Sequence, residues 1–82
     1  MRLDVLLFEL RLFKSRSQAT AAIQSGRVKL DGAAVKASRE VRAGQRVTIA
    51  DGATRRTVEI VELPRPGLSR EAARALIREV SG

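Results

Sequence analysis

An α+β fold is what the sequence predicts, and three observations predict it. Apolar residues recur with a helical period near the start and again near the end. Between these stretches the period drops to two, as in half-buried strands. Asp-Gly pairs at 31–32 and 51–52 mark turns inside the period-two region.

The first helix is carried by Leu3, Leu6, Leu7 and Leu10, spaced to give one apolar face. Asp4 near its start and Arg11 and Lys14 at its end suit the helix dipole. Ser15 followed by Gln18 is a capping-box pattern and starts a second helix. The first helix is therefore expected to stop near Phe13, leaving a connection of two or three residues. Ala19, Ala22 and Ile23 give the second helix a buried face of small residues, and Gly26 is placed to end it in a left-handed conformation. Two helices joined so tightly make a helix-turn-helix unit.

Val28 and Leu30 alternate with Arg27, Lys29 and Asp31, giving a first strand into the Asp31-Gly32 turn. Val35 and Val41 follow, then a turn at Ala43-Gly44, then Val47 and Ile49. After Asp51-Gly52, residues 57–63 read as a last strand. Four or five short, mostly antiparallel strands are expected, in a small twisted sheet. Pro64-Arg65-Pro66-Gly67 breaks the pattern, and Ser69 can cap a final helix. Ala72, Ala73, Leu76, Ile77 and Val80 make its apolar face, with Arg70, Arg74 and Arg78 on a solvated one. That C-terminal helix is expected to lie across the sheet, and residues 1–82 to form one domain.

Composition narrows the chemistry. Cysteine and histidine are both absent, which removes disulfides, thiolate or imidazole metal ligands, and histidine-dependent triads. No cofactor, metal site or small-molecule substrate is expected, and the chain does not read as an enzyme. No run approaches the roughly 20 apolar residues of a membrane span. The start, Met1-Arg2-Leu3-Asp4, is unlike a signal peptide. The expected location is the cytoplasm, with no membrane partner.

The net charge of +7 is gathered in one half of the chain. Residues 1–46 hold ten basic and four acidic side chains, a net +6, and residues 47–82 hold six and five, a net +1. Such asymmetry is the footprint of a polyanion partner. Its centre is Lys14-Ser15-Arg16-Ser17-Gln18, where the first turn of a helix offers unpaired N–H groups to phosphate. Arg27, Lys29, Lys36, Arg39 and Arg42 follow and would extend the basic surface if they converge on one face. There is no Trp or Tyr, and Phe8 and Phe13 read as core, so a base-stacking platform is not expected. Recognition of folded RNA through backbone and shape is favoured. The alternative is a DNA-binding helix-turn-helix with a β wing, in which Arg16, Ser17 and Gln18 would read a major groove.

The ordered set Arg2-Leu3-Asp4, Lys14-Ser15-Arg16-Ser17-Gln18-Ala19, Gly26-Arg27-Val28-Lys29-Leu30-Asp31-Gly32 and Val41-Arg42-Ala43-Gly44 resembles the RNA-binding domain named after ribosomal protein S4. The resemblance spans roughly residues 2–50, leaving residues 57–80 as an added strand and helix. Within that family, Leu10-Arg11-Leu12-Phe13-Lys14 looks most like the small ribosome-associated heat-shock members. The resemblance implies a structured RNA partner, ribosomal RNA or the large ribosomal subunit, and a role in ribosome assembly or rescue of stalled large subunits. It implies RNA contacts for Arg16, Ser17, Gln18, Arg27 and Lys29, and a structural role for Arg2 and Asp4. Arg11, Lys14, Lys36, Arg39 and Arg42 complete the candidate site. Two residues depart from the family pattern: Asp31 stands where asparagine is usual, and Gln45 where an acidic residue often follows glycine. Such domains are often fused to RNA-modifying enzymes, so a targeting role beside a separate enzyme is a third reading.

Overall fold

The computed structural model describes residues 1–80. Helix α1 spans Leu3–Glu9 and helix α2 Arg16–Gln24, followed by strands β1 (Val28–Leu30), β2 (Ala33–Ala34), β3 (Arg46–Asp51) and β4 (Thr54–Ile60). A short helix α3 (Arg70–Ala75) and strand β5 (Ile77–Val80) complete the order. The five strands form one antiparallel sheet in the order β2-β1-β3-β4-β5.

Both N-terminal helices bury their predicted faces against one side of this sheet. Leu3, Leu6, Leu7 and Leu10 meet Ala19, Ala22 and Ile23, and together they cover Val28, Leu30, Val47, Val58 and Ile60. Burying each large side chain of this kind stabilises the fold by about 1.5–3 kcal/mol. Register agrees with burial: Leu30 pairs with Val47 and Val47 with Val58, all on the helix side. Arg46, Glu59 and Arg78 share the opposite, outer side.

Helix α1 is shorter than its sequence implies. It ends at Glu9, and the connection to α2 runs from Leu10 to Ser15 rather than over two or three residues. The cause is a Schellman closure: the Leu12 N–H reaches the Leu7 carbonyl (3.0 Å) and the Arg11 N–H the Phe8 carbonyl (3.0 Å). Arg11 takes the left-handed position, with φ of 62°. Helix α2 closes identically through Gly26, the residue type that position favours. At its other end Ser15 Oγ accepts from the Gln18 N–H at 3.1 Å, half of the expected capping box.

The C-terminal helix is the larger correction. It stops at Ala75, and Ile77 to Val80 pair with β4 instead of continuing a helix across the sheet. Edge strands leave N–H and C=O groups unpaired, and β4 has such an edge until β5 covers it. Cross-strand ion pairs fix the register: Arg78 donates to Glu59 at 2.8 Å, and Arg56 pairs with Glu79. Arg78 is therefore held on the sheet rather than on a helix face with Arg70 and Arg74.

Candidate nucleic-acid interface

Asp4 organises the corner where α1 and α2 meet. Its carboxylate is 3% exposed and fully engaged. Arg2 reaches it through Nε (3.2 Å) and a terminal nitrogen (3.1 Å), and the Val5 N–H donates to it at 2.8 Å. Arg16 Nε lies at 3.5 Å and Thr20 Oγ1 at 3.4 Å. Burial by itself raises the carboxyl, but the Arg2 and Val5 hydrogen bonds and the charges of Arg2 and Arg16 outweigh it. The group is held below its ordinary carboxylate value. Both guanidinium groups remain about half exposed, at 47% and 54%. One buried anion thus orients two cations toward solvent.

The exposed stripe of α2 continues from this corner. Arg16, Thr20 and Gln24 recur every four residues along the flank of the buried face formed by Ala19, Ala22 and Ile23, with Ser17 alongside. Arg2, Arg16, Ser17, Thr20 and Gln24 line a shallow groove of about 460 Å³. A second groove of about 610 Å³ shares Arg2, Thr20 and Gln24 and adds Lys36 from the loop after β2. That loop is tied to the start of α1, where the Leu3 and Asp4 N–H groups donate to the Arg39 and Ala37 carbonyls (2.8 and 3.2 Å). The Arg39 backbone is thereby fixed at the start of α1, and Glu40 bridges to Arg2. Arg27 lies past the far end of α2, its Nε on Ser25 Oγ at 3.1 Å.

All ten predicted site residues are exposed, but they do not form one cluster. Arg16, Ser17 and Lys36 come together along α2. Lys29 alternates with the buried Val28 and Leu30, so it stands on the outer side of the sheet, away from the helices. Arg42 sits in the turn before β3, its N–H on Gln45 Oε1 at 2.8 Å. Arg11 and Lys14 line a separate groove of about 670 Å³ that faces the C-terminal elements. Phe8 and Phe13 also line it and are partly buried; Phe13 packs against the core as expected, whereas Phe8 does not join it. Arg2, Thr20 and Gln24 are the additions to the site. Only the four-residue repeat of Arg16, Thr20 and Gln24 could have marked two of them beforehand.

Ion pairs neutralise a minority of the cations in both halves. Arg46 and Arg78 pair with Glu59, and Arg56 with Glu79. Among the described residues, Lys14, Arg27, Lys29, Lys36, Arg39 and Arg42 have no carboxylate within ion-pair distance. Arg11 is likewise without one, as are Arg55, Arg65, Arg70 and Arg74 of the C-terminal half, so seven of these eleven unpaired cations lie in residues 1–46.

A helix pair with Arg2 and Arg16 set at its corner, packed on one side of an antiparallel sheet, defines a small α+β binding domain. The chain belongs to the S4 domain family, which matches residues 1–47. It is 37% identical over 73 residues to the RQC P-site tRNA stabilizing factor of Bacillus subtilis, covering 89% of this chain and 85% of the relative. Among solved structures it is similar to the trimeric structure of Vibrio cholerae heat shock protein 15, at 30% identity. The TM-score is 0.91, over 99% of this chain and 82% of that one. Among the described residues no helix is long and apolar enough to cross a membrane.

Proposed function

We propose that this chain is a cytoplasmic protein that binds ribosomal RNA of the large subunit, with no catalytic role of its own. Residues 1–82 act as one RNA-binding unit, in assembly or rescue of that subunit. The relative named for stabilising P-site tRNA supports a setting in translation. The observation that carries the reading is the Asp4 corner: a buried carboxylate holding Arg2 and Arg16 at the head of the α2 stripe. Guanidinium groups held in place lose less freedom on meeting phosphate and give charge-assisted hydrogen bonds. Ser17, Gln18, Thr20 and Gln24 then offer hydroxyls and amides to ribose and base edges. Lys36, Arg39 and Arg27 extend the charge along the backbone.

Ser17→Glu tests this face without disturbing the corner. A carboxylate in the first turn of a helix suits the dipole, so melting temperature should hold or rise slightly. Co-sedimentation with large subunits and affinity for a ribosomal RNA hairpin should fall at least about tenfold, because a carboxylate repels phosphate where a hydroxyl could bond it. Unchanged binding would place the RNA elsewhere. Tighter binding to duplex DNA than to the hairpin would favour the DNA reading instead.

A further inference from the structure

From the groove between the α1–α2 connection and the C-terminal elements, we infer that the protein has a second site, for an unpaired stretch of RNA. The groove holds about 670 Å³, within the range of pockets that enclose a small ligand. Phe8, Phe13 and Ile77 give it an apolar floor, and Arg56, Arg70 and Arg74 approach from the C-terminal side. Arg11 and Lys14 border it from the connection, and no carboxylate lines it. Arg11 is anchored, its guanidinium donating to the Leu68 carbonyl at 2.8 Å, and Arg56 is paired with Glu79. Lys14, Arg70 and Arg74 have no carboxylate partner among the described residues.

Half-buried rings beside unneutralised cations select the occupant. An acidic peptide would satisfy the charges but offers no flat face to Phe8 and Phe13. An unpaired nucleotide supplies both, its base stacking on rings or guanidinium planes and its phosphate meeting Lys14, Arg70 and Arg74. Paired bases are already stacked in their duplex, so the site takes single strands and not stems. Lys14 stands two residues before Arg16, which places this groove next to the α2 stripe along the chain. An RNA whose stem rests on α2 can therefore pass its unpaired end into the groove. This inference rests on the RNA-binding reading above and deepens it.

The test uses a labelled hexa-adenylate, and separately a bare hairpin and the same hairpin with an adenylate tail. The parent should bind hexa-adenylate at low salt and bind the tailed hairpin more tightly than the bare one. Arg70→Gln combined with Arg74→Gln should weaken hexa-adenylate at least about tenfold and remove the gain from the tail. Phe8→Leu keeps the groove apolar but removes a ring, and should weaken it about fivefold or more. No hexa-adenylate binding by the parent, or parental affinity in both variants, overturns the site. So does polyglutamate displacing hexa-adenylate at equal concentration, which would identify an acidic protein partner, or polyphosphate binding equally with Phe8→Leu silent. The bare hairpin reports the α2 face alone, so its failure to bind would sink the earlier reading while leaving the hexa-adenylate result to stand or fall separately.

Discussion

Asp4 is a charged residue in a stretch that sequence alone reads as a helix start. Its spacing to Arg2 is legible, but its partnership with Arg16 and Thr20 is not, because those residues arrive from another helix. The structure also changes what Arg16 can tolerate. Arg16→Glu suits the helix dipole but would set a second carboxylate against the buried Asp4. Asp4→Asn keeps the shape and removes the charge. Because Arg2 and Arg16 are half exposed and partly screened, the cost should be modest, about 1–2 kcal/mol. In a domain this size that lowers the melting temperature by about 4–16 °C. The pH dependence has a definite sign. Folding depresses the Asp4 carboxyl, so its contribution is full above the ordinary carboxylate value and lost as pH falls through the depressed one. Thermal melts of Asp4→Asn should therefore show a flatter acid limb than the parent. An acid limb as steep as the parent's would assign the sensitivity to other carboxylates.

Elements are legible where their signals are local. Ser15 at the start of α2, Gly26 at its end and the Asp31-Gly32 turn all appear where the sequence puts them. Both turn residues have positive φ (49° and 82°), as a two-residue hairpin of this kind requires. Arg11 in a glycine-type position carries no local mark, so the helical period overruns the end of α1. Residues 76–80 fit a helical period, yet Ile77 and Val80 are β-branched and the open edge of β4 recruits them. No local pattern can register an edge that a distant strand leaves unpaired. The two residues that depart from the family pattern meet in the structure. Asp31 accepts from the Arg46 N–H (2.9 Å) and from Gln45 Nε2 (2.9 Å), which locks the β1–β2 turn to the start of β3. Those bonds, the Arg46 N–H foremost, lower the Asp31 carboxyl against its slight burial. Gln45→Glu alone should set two carboxylates together and cost about 1 kcal/mol. Adding Asp31→Asn restores a donor facing an acceptor, and denaturant melts of the double variant should recover most of the loss. Simple additivity of the two single changes would show that the pair is not coupled.

At the scale of the whole molecule, the fold turns a linear charge asymmetry into a spatial one. The excess cations of residues 1–46 are plain in the sequence, but not which of them share a surface, since a strand sends alternate residues to opposite sides. Lys29 is separated from α2 by that alternation, and Lys36 is brought to α2 by a loop whose path depends on its bonds to α1. Counterion release makes the distinction measurable. If about five to seven cations meet phosphate, log affinity for the hairpin should fall with log salt at a slope of about −4 to −6. Each cation on the face contributes about one unit of slope, whatever the RNA sequence. Lys36→Gln should therefore weaken all hairpins alike and make the slope shallower by about 1. Arg55, exposed beside the β3–β4 turn and opposite Ala50, is the comparison, because it lines neither α2 groove. Arg55→Gln removes the same formal charge from the molecule and should leave the slope within error of the parent. Equal effects from the two variants would mean that net charge, rather than the α2 face, governs binding.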